Sequence, residues 1–318
     1  PAGAACLRHG CLRGGRGRVR GVVLVRCGWR RRRRGERGIA PERLAELRHE
    51  MGLDQPVWKQ FLDYANALLH GDFGTSIVTN ENSTLAIVSL NEAGVPTYSF
   101  YVNGTSDWGW TKEELPTQEQ LDKEQINCIQ FGCLTMAMEP GNLVIENWAR
   151  ELKNVTISHD INIRAALGFD PNKEKERVER TNKFSNIIKA SDEDIEWLYQ
   201  NKRNVDDVAK EWAKDGKIIL ITRGADGVSI FRNDERMDVP SRKINVVDTV
   251  GAGDTFTANL LGQLQENNHL GNNPTDKLMN LNEETLRTFV HTAGIAASIT
   301  CERAGAEPPT KADLHKIL

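Results

Sequence analysis

From residue 84 onward, short apolar runs alternate with longer stretches whose apolar positions recur every three or four residues. Runs of the first kind fit strands, and the second pattern fits amphipathic helices. Thr84–Leu90 and Thr97–Val102 read as two strands joined by a turn-rich link, Asn-Glu-Ala-Gly-Val-Pro. Ile126–Phe131, Val155–Ser158 and Asn186–Lys189 read as further strands, with a helix over Gly141–Leu152 between the first two. Ser191 caps a short helix, Asp192–Tyr199, and Gly216 stops another, Val205–Lys214. Lys217–Thr222 and Gly227–Arg232 flank the turn Arg-Gly-Ala-Asp. Ile244–Val247 reads as a strand feeding a helix from Gly253 to Gln265. Asn282 caps a helix that carries Leu286, Phe289, Val290, Ala293 and Ala297 on one face, and Thr310 caps the last helix. Such alternation predicts an α/β fold with a mostly parallel sheet and helices on both faces.

The first 82 residues do not share that pattern. Residues 1–40 hold 12 Arg, no Lys and one acidic residue, Glu36, so this head carries +11. The whole chain has a net charge of −3, which leaves −14 for the remainder. Arginines packed as densely as Arg30–Arg34 repel one another, so the head reads as disordered, with nucleic-acid or membrane-surface binding as the lesser alternative. Its longest apolar run, Val22–Val25, is too short for a membrane span or a secretory signal. Residues 41–77 carry two amphipathic patterns and resemble the region after the first span of dipeptide and oligopeptide transporter permeases, through the run GLDQP to GDFGTS. That resemblance implies a foreign, chimeric segment over 41–82. The six cysteines show no metal-ligand spacing and read as reduced thiols of a cytoplasmic protein.

The chemistry concentrates in residues 246–264, VVDTVGAGDTFTANLLGQL. An apolar run enters a Gly-Ala-Gly turn, which opens a helix. Gly251 and Gly253 allow a tight turn and a close approach of amides to an anion. The positive end of the helix dipole favours phosphate there. Asp254 falls in the first turn, where a carboxylate can take the proton of an attacking hydroxyl.

The string Asp248-Thr-Val-Gly251-Ala252-Gly253-Asp254-Thr-Phe256 resembles the D-T-x-G-A-G-D-x-F signature of the ribokinase (PfkB) family of carbohydrate kinases. The resemblance implies a ribokinase-like, Rossmann-like sheet with a small β lid. It also implies an anion hole at Gly251, Ala252 and Gly253, a catalytic base at Asp254, and a nucleotide contact through Asp248 and Thr249. Thr222-Arg-Gly224-Ala-Asp-Gly227 resembles the family's T-x-G-x-x-G nucleotide loop, although a plain hairpin turn reads the same. Asp160-Ile-Asn162-Ile-Arg164 resembles D-x-N-x-R, which implies that Asn162 and Arg164 meet the sugar and the transferred phosphate. Alternation along an extended segment would put all three polar residues on one face.

Ser191-Asp-Glu-Asp194 stands where relatives carry N-x-x-E, so Asp194 is the candidate magnesium-linked residue; a capping box explains the same residues equally well. The loop Ala304–Pro309, with Gly305, resembles one that closes the nucleotide site and holds a potassium ion. Tyr98–Trp110 resembles the bacterial fructokinase branch. The implied substrates are ATP, accompanied by Mg2+, and a sugar, with fructose the first choice. A homodimer formed through the lid is also implied, with no nucleic-acid or membrane partner. The kinase domain is expected over 83–318, without the family's usual first ~80 residues, none of whose motifs appears in 1–82. An active fructokinase is therefore weighed against a catalytically impaired remnant that binds nucleotide.

Overall fold

The computed structural model describes residues 22–25, 84–90, 96–132 and 134–318. They fall into two units: 22–25 with Leu115–Leu318, and 84–90 with 96–114. The helical patterns expected over 41–77 lie outside the described residues.

The larger unit is built on a seven-stranded sheet. In chain order its strands are β1 (Val22–Val25), β4 (Cys128–Gly132), β5 (Thr156–Asp160), β6 (Ile187–Ser191), β7 (Ile218–Thr222), β8 (Val228–Arg232) and β9 (Glu235–Val239), which is also their order across the sheet. The first five run parallel, and β8 and β9 add an antiparallel edge. Its helices are α1 (Gln118–Lys123), α2 (Leu134–Ala137), α3 (Gly141–Glu151), α4 (Pro171–Phe184), α5 (Asp192–Leu198), α6 (Val205–Trp212), α7 (Ala252–Glu266), α8 (Pro274–Met279), α9 (Glu283–Cys301) and α10 (Lys311–His315). The expected mostly parallel α/β architecture is what the chain forms.

Strand β7 shows why the central strands read as unbroken apolar runs. Ile218 and Leu220 pack with Phe256, Leu260, Leu264, Phe289 and Val290 of α7 and α9 on one face. Ile219 and Ile221 pack with Val178, Ile195, Val208 and Trp212 of α4, α5 and α6 on the other. A parallel sheet covered on both sides leaves no polar face along such a strand.

Two expectations need correction. Val22–Val25 is not part of a uniformly disordered head. It forms β1 and pairs in parallel with β4, Val22 opposite Cys128 and Val25 opposite Phe131. Four consecutive β-branched or apolar residues satisfy an open strand edge even when arginines flank them. Ile244–Val247 does not form a strand. The amides of Val247 and Asp248 donate instead to the carbonyl of Cys301 at the end of α9, and both valines stay exposed.

In the smaller unit, β2 (Leu85–Leu90) and β3 (Pro96–Tyr101) form the expected antiparallel hairpin, a two-stranded sheet of its own. A short 3-10 turn, Ser106–Trp108, follows, with Trp108 buried.

Candidate functional site

The carboxyl ends of parallel strands are where an open α/β sheet leaves room for ligands. Here Gly132 and Asp160, at the ends of β4 and β5, stand in register with Lys189 in the middle of β6, and Ser191 at the end of β6 stands beside Thr222 of β7. Over this edge sits the N-terminus of α7.

Gly251 is the residue before the first turn of α7, with φ 80°. Only glycine adopts that conformation without steric penalty. A Cβ on Gly251 would also lie 2.8 Å from Cβ of Ala306. No described side chain caps this helix. The amide of Ala252 donates to the Thr249 carbonyl at 3.3 Å, and the positive end of the helix dipole favours an anion at this turn. Gly253 has an ordinary helical backbone, so it does not shape the turn as the sequence implied. Its missing Cβ makes room for the ammonium of Lys189, which would lie 3.2 Å from such an atom. Ala252, Gly253 and Asp254 are half-buried, so the Asp254 side chain is not sealed inside the core.

The loop ahead of α7 is tied down by Asp248. One carboxylate oxygen accepts the amide of Val250 at 2.9 Å, and the other accepts the amide of Gly305 at 2.9 Å. Asp248 thus joins the signature loop to the 304–309 loop, while Thr249 stays exposed beside it. Thr222 closes β7 and lies 3.4 Å from the Ala190 carbonyl. Gly224 opens the tight β7–β8 connection and is exposed. Gly227 is buried, at φ 94°, and its Cβ would lie 2.2 Å from the carbonyl oxygen of Val239. The T-x-G-x-x-G stretch is thus a hairpin connection at the same edge of the sheet as α7.

The segment after β5 departs from expectation. Asn162 has φ 40°, so the strand's alternation stops at Asp160 and the three polar residues do not share one extended face. Asparagine tolerates this left-handed region better than most residues. Asp160 turns into the core, where both its oxygens lie 3.0 Å from Nζ of Lys189. Asn162 and Arg164 stay half-buried in the loop. Asp194 holds that loop in place: one oxygen accepts the amide of Ile163 at 2.8 Å, and the other accepts the amide of Ser191 at 2.8 Å. Ser191 in turn receives the amide of Asp194, completing a capping box on α5. Burial raises the carboxyl of Asp194 above the usual range, opposed by these amides and by the charge of Lys189.

Lys189 is the participant that motif reading missed. Its signal was there: a single lysine inside the apolar strand IIKAS, opposite an aspartate at the end of the neighbouring strand.

The pfkB family carbohydrate kinase pattern matches residues 74–313. The chain is 34% identical over 218 residues to a fructokinase of Rhizobium leguminosarum bv. trifolii, covering 68% of this chain and 64% of that protein. It is 28% identical over 255 residues to fructokinase-1 of Oryza sativa subsp. japonica, covering 78% of this chain and 74% of that one. It spans just under two thirds of the length of the Rhizobium protein. Among solved structures, the fructokinase of Xylella fastidiosa with bound ATP superposes with a TM-score of 0.62 at 19% identity, covering 72% of this chain and 70% of that one. The ribokinase of Thermotoga maritima superposes with a TM-score of 0.55 at 17% identity, covering 80% of this chain and 77% of that one. A variant fructokinase of Vibrio cholerae, solved with fructose, ADP and potassium, gives a TM-score of 0.60 at 19% identity, covering 75% of this chain and 73% of that one. The permease resemblance of residues 41–77 is not borne out, and the kinase pattern already begins at residue 74. With the signature loop, its helix and the sheet edge beneath them accounted for, the chain belongs to the pfkB family of carbohydrate kinases.

Proposed function

We propose that the chain is an ATP-dependent sugar kinase that transfers the γ-phosphoryl group of ATP to a sugar hydroxyl, with fructose as the sugar. The observation that carries this reading is the N-terminus of α7: Gly251 in a left-handed turn, a first turn that no described side chain caps and Asp254 within it, above the carboxyl ends of parallel strands. Phosphoryl transfer asks little covalent chemistry of a protein; it needs alignment of the reactants and stabilisation of spreading negative charge. In this reading the Asp254 carboxylate accepts the proton of the sugar hydroxyl as its oxygen bonds to the γ-phosphorus. The bond from that phosphorus to the bridging oxygen breaks, and ADP leaves. The amides of Gly251, Ala252 and Gly253 meet the charge on the three equatorial oxygens.

Thr222, Gly224, Gly227, Asp248, Thr249 and Gly305 are assigned to the nucleotide side, Asn162 and Arg164 to the sugar and the moving phosphoryl group. Magnesium supplies charge neutralisation on the ATP phosphates when bound. Among the described residues no three His, Cys, Asp or Glu side chains cluster to hold a metal. Asp194 remains our candidate, since each of its oxygens accepts one amide and keeps a lone pair for a water on the ion. Potassium is assigned to the 304–309 loop. Among the described residues no helix is long and apolar enough to cross a membrane. We place the protein in the cytoplasm, where ATP is supplied and thiols such as buried Cys128 stay reduced.

The test is a coupled ADP-release assay with fructose and Mg·ATP, run beside Asp254→Asn. Loss of a general base lowers turnover by about 10²–10⁴-fold, so the substitution is expected to cut kcat by at least 100-fold while thermal stability holds. Equal turnover in the two proteins would remove Asp254 from the chemistry. Stabilisation by ATP without turnover would reduce the reading to nucleotide binding.

A further inference from the structure

Beneath the first turn of α7 lies a buried ion pair to which none of the roles above gives a task. The Asp160 and Lys189 side chains are 5% and 9% exposed. On the same face of the sheet, Lys189 is flanked by Ile187 and Leu220, apolar and fully buried, and Asp160 by the buried hydroxyl residue Ser158. Two formal charges in such surroundings give up their hydration, and an apolar pair of similar volume commonly serves stability as well or better. This pair therefore calls for an explanation other than cohesion.

Three contacts supply one. The lysine ammonium, held by both oxygens of Asp160, fills the space left by the missing Cβ of Gly253. The Thr257 hydroxyl, one turn further along α7, bonds to the Gly253 carbonyl at 3.0 Å and lies 3.5 Å from Asp160. Asp160 is also followed directly by the loop of Asn162 and Arg164, which Asp194 pins through Ile163. The pair thus sits where three segments of the proposed transfer site converge.

Resting on the kinase reading, we propose that Lys189, clamped by Asp160, is a positioning residue that supports the Gly253 turn of α7 from below and so fixes the anion-binding amides and Asp254 relative to the sheet. This also explains the glycine at 253 without invoking backbone strain. An alanine there would press its methyl against the ammonium, lifting the turn or displacing the lysine.

The experiment compares the full chain with Lys189→Met, with Lys189→Met/Asp160→Asn and with Gly253→Ala. The single lysine variant strands a buried carboxylate and is expected to melt at a clearly lower temperature. The double variant is neutral and nearly isosteric, and is expected to melt within a few degrees of the parent. Its kcat for fructose and Mg·ATP is expected to fall at least tenfold, with both KM values within about threefold. Gly253→Ala is expected to lower kcat as well, by a smaller factor in the Lys189→Met/Asp160→Asn background than in the parent. Such non-additivity is the mark of a direct contact. A double variant that folds and turns over at the parental rate overturns the proposal.

Amide hydrogen exchange supplies a readout that does not need turnover. The first turn of α7 in the double variant is expected to exchange at least tenfold faster, with residues 258–266 unchanged. An inactive parent would sink the kinase reading, and the exchange result would then decide on its own whether Lys189 holds the turn: unchanged protection rejects it.

Discussion

Two glycines two positions apart serve different ends. Gly251 is required by conformation, with φ 80° and no room toward Ala306. Gly253 faces a neighbour instead: a Cβ there would lie 3.2 Å from the ammonium of Lys189. A left-handed residue with a Cβ costs about 1–2 kcal/mol, and the contact with Ala306 adds to it. Gly251→Ala is therefore expected to lower the unfolding free energy by at least about 1 kcal/mol, seen as a lower urea midpoint, and to reduce turnover as well. Were stability and activity both unchanged, the left-handed turn would not be needed. The sequence spoke clearly about where Gly251 and Asp254 stand, because a helix start is a local feature: a flexible backbone and a first-turn carboxylate within nine residues. It was silent on Lys189, whose partner Asp160 lies 29 residues away in the chain and meets it only across the sheet. The shared face expected of Asp160, Asn162 and Arg164 failed at one torsion, the φ of 40° at Asn162.

Elements were legible in proportion to the apolar pattern they carried. Helix α9 announced itself through its stripe of Leu286, Phe289, Val290 and Ala293 and through its cap. The Asn282 side chain accepts the amides of Glu284 and Thr285, as expected. Replacing such a cap by alanine costs about 0.5–2 kcal/mol, so Asn282→Ala should lower the unfolding free energy from urea titration by that amount and leave the KM values alone. Helix α4 carried almost no such signal. Its sequence, PNKEKERVERTNKF, turns Glu174, Arg177, Thr181 and Asn182 inward, with Val178 the lone buried hydrophobe. A polar inner face hides a helix from any periodicity argument. Strand β9 was overlooked for a related reason, since only Met237 and Val239 of its five residues are buried. At Ile244–Val247 the error ran the other way. β-propensity measures fitness for a pleated, half-buried surface, and this stretch gives its amides to the end of α9 instead.

At the scale of the molecule, the polar interior under α4 sets the response to acid. The His159 ring faces the Asn182 side chain at 2.8 Å and lies near the buried Arg177–Glu174 pair. Burial first, and then the charge of Arg177, lowers its pKa from 6.5 to about 3, against the hydrogen bond with Asn182. The folded protein therefore binds fewer protons at this ring than the unfolded chain between pH 6.5 and about 3. Its contribution is fully present above that window and drains away as the pH falls through it. The melting temperature is expected to drop between pH 7 and pH 5 more steeply in the parent than in His159→Asn, which has no proton to gain; parallel curves would show that the ring is not responsible. Near-neutral stability and the proposed transfer site thus occupy opposite faces of one sheet. On the transfer side, a single carboxylate links distant parts of the chain. Asp248 grips one strap of backbone with each oxygen, so neither can shift without tugging the other. Anything that seats itself against Gly305 must consequently be sensed at the threshold of α7, and reciprocity demands that the favour be returned by the same factor.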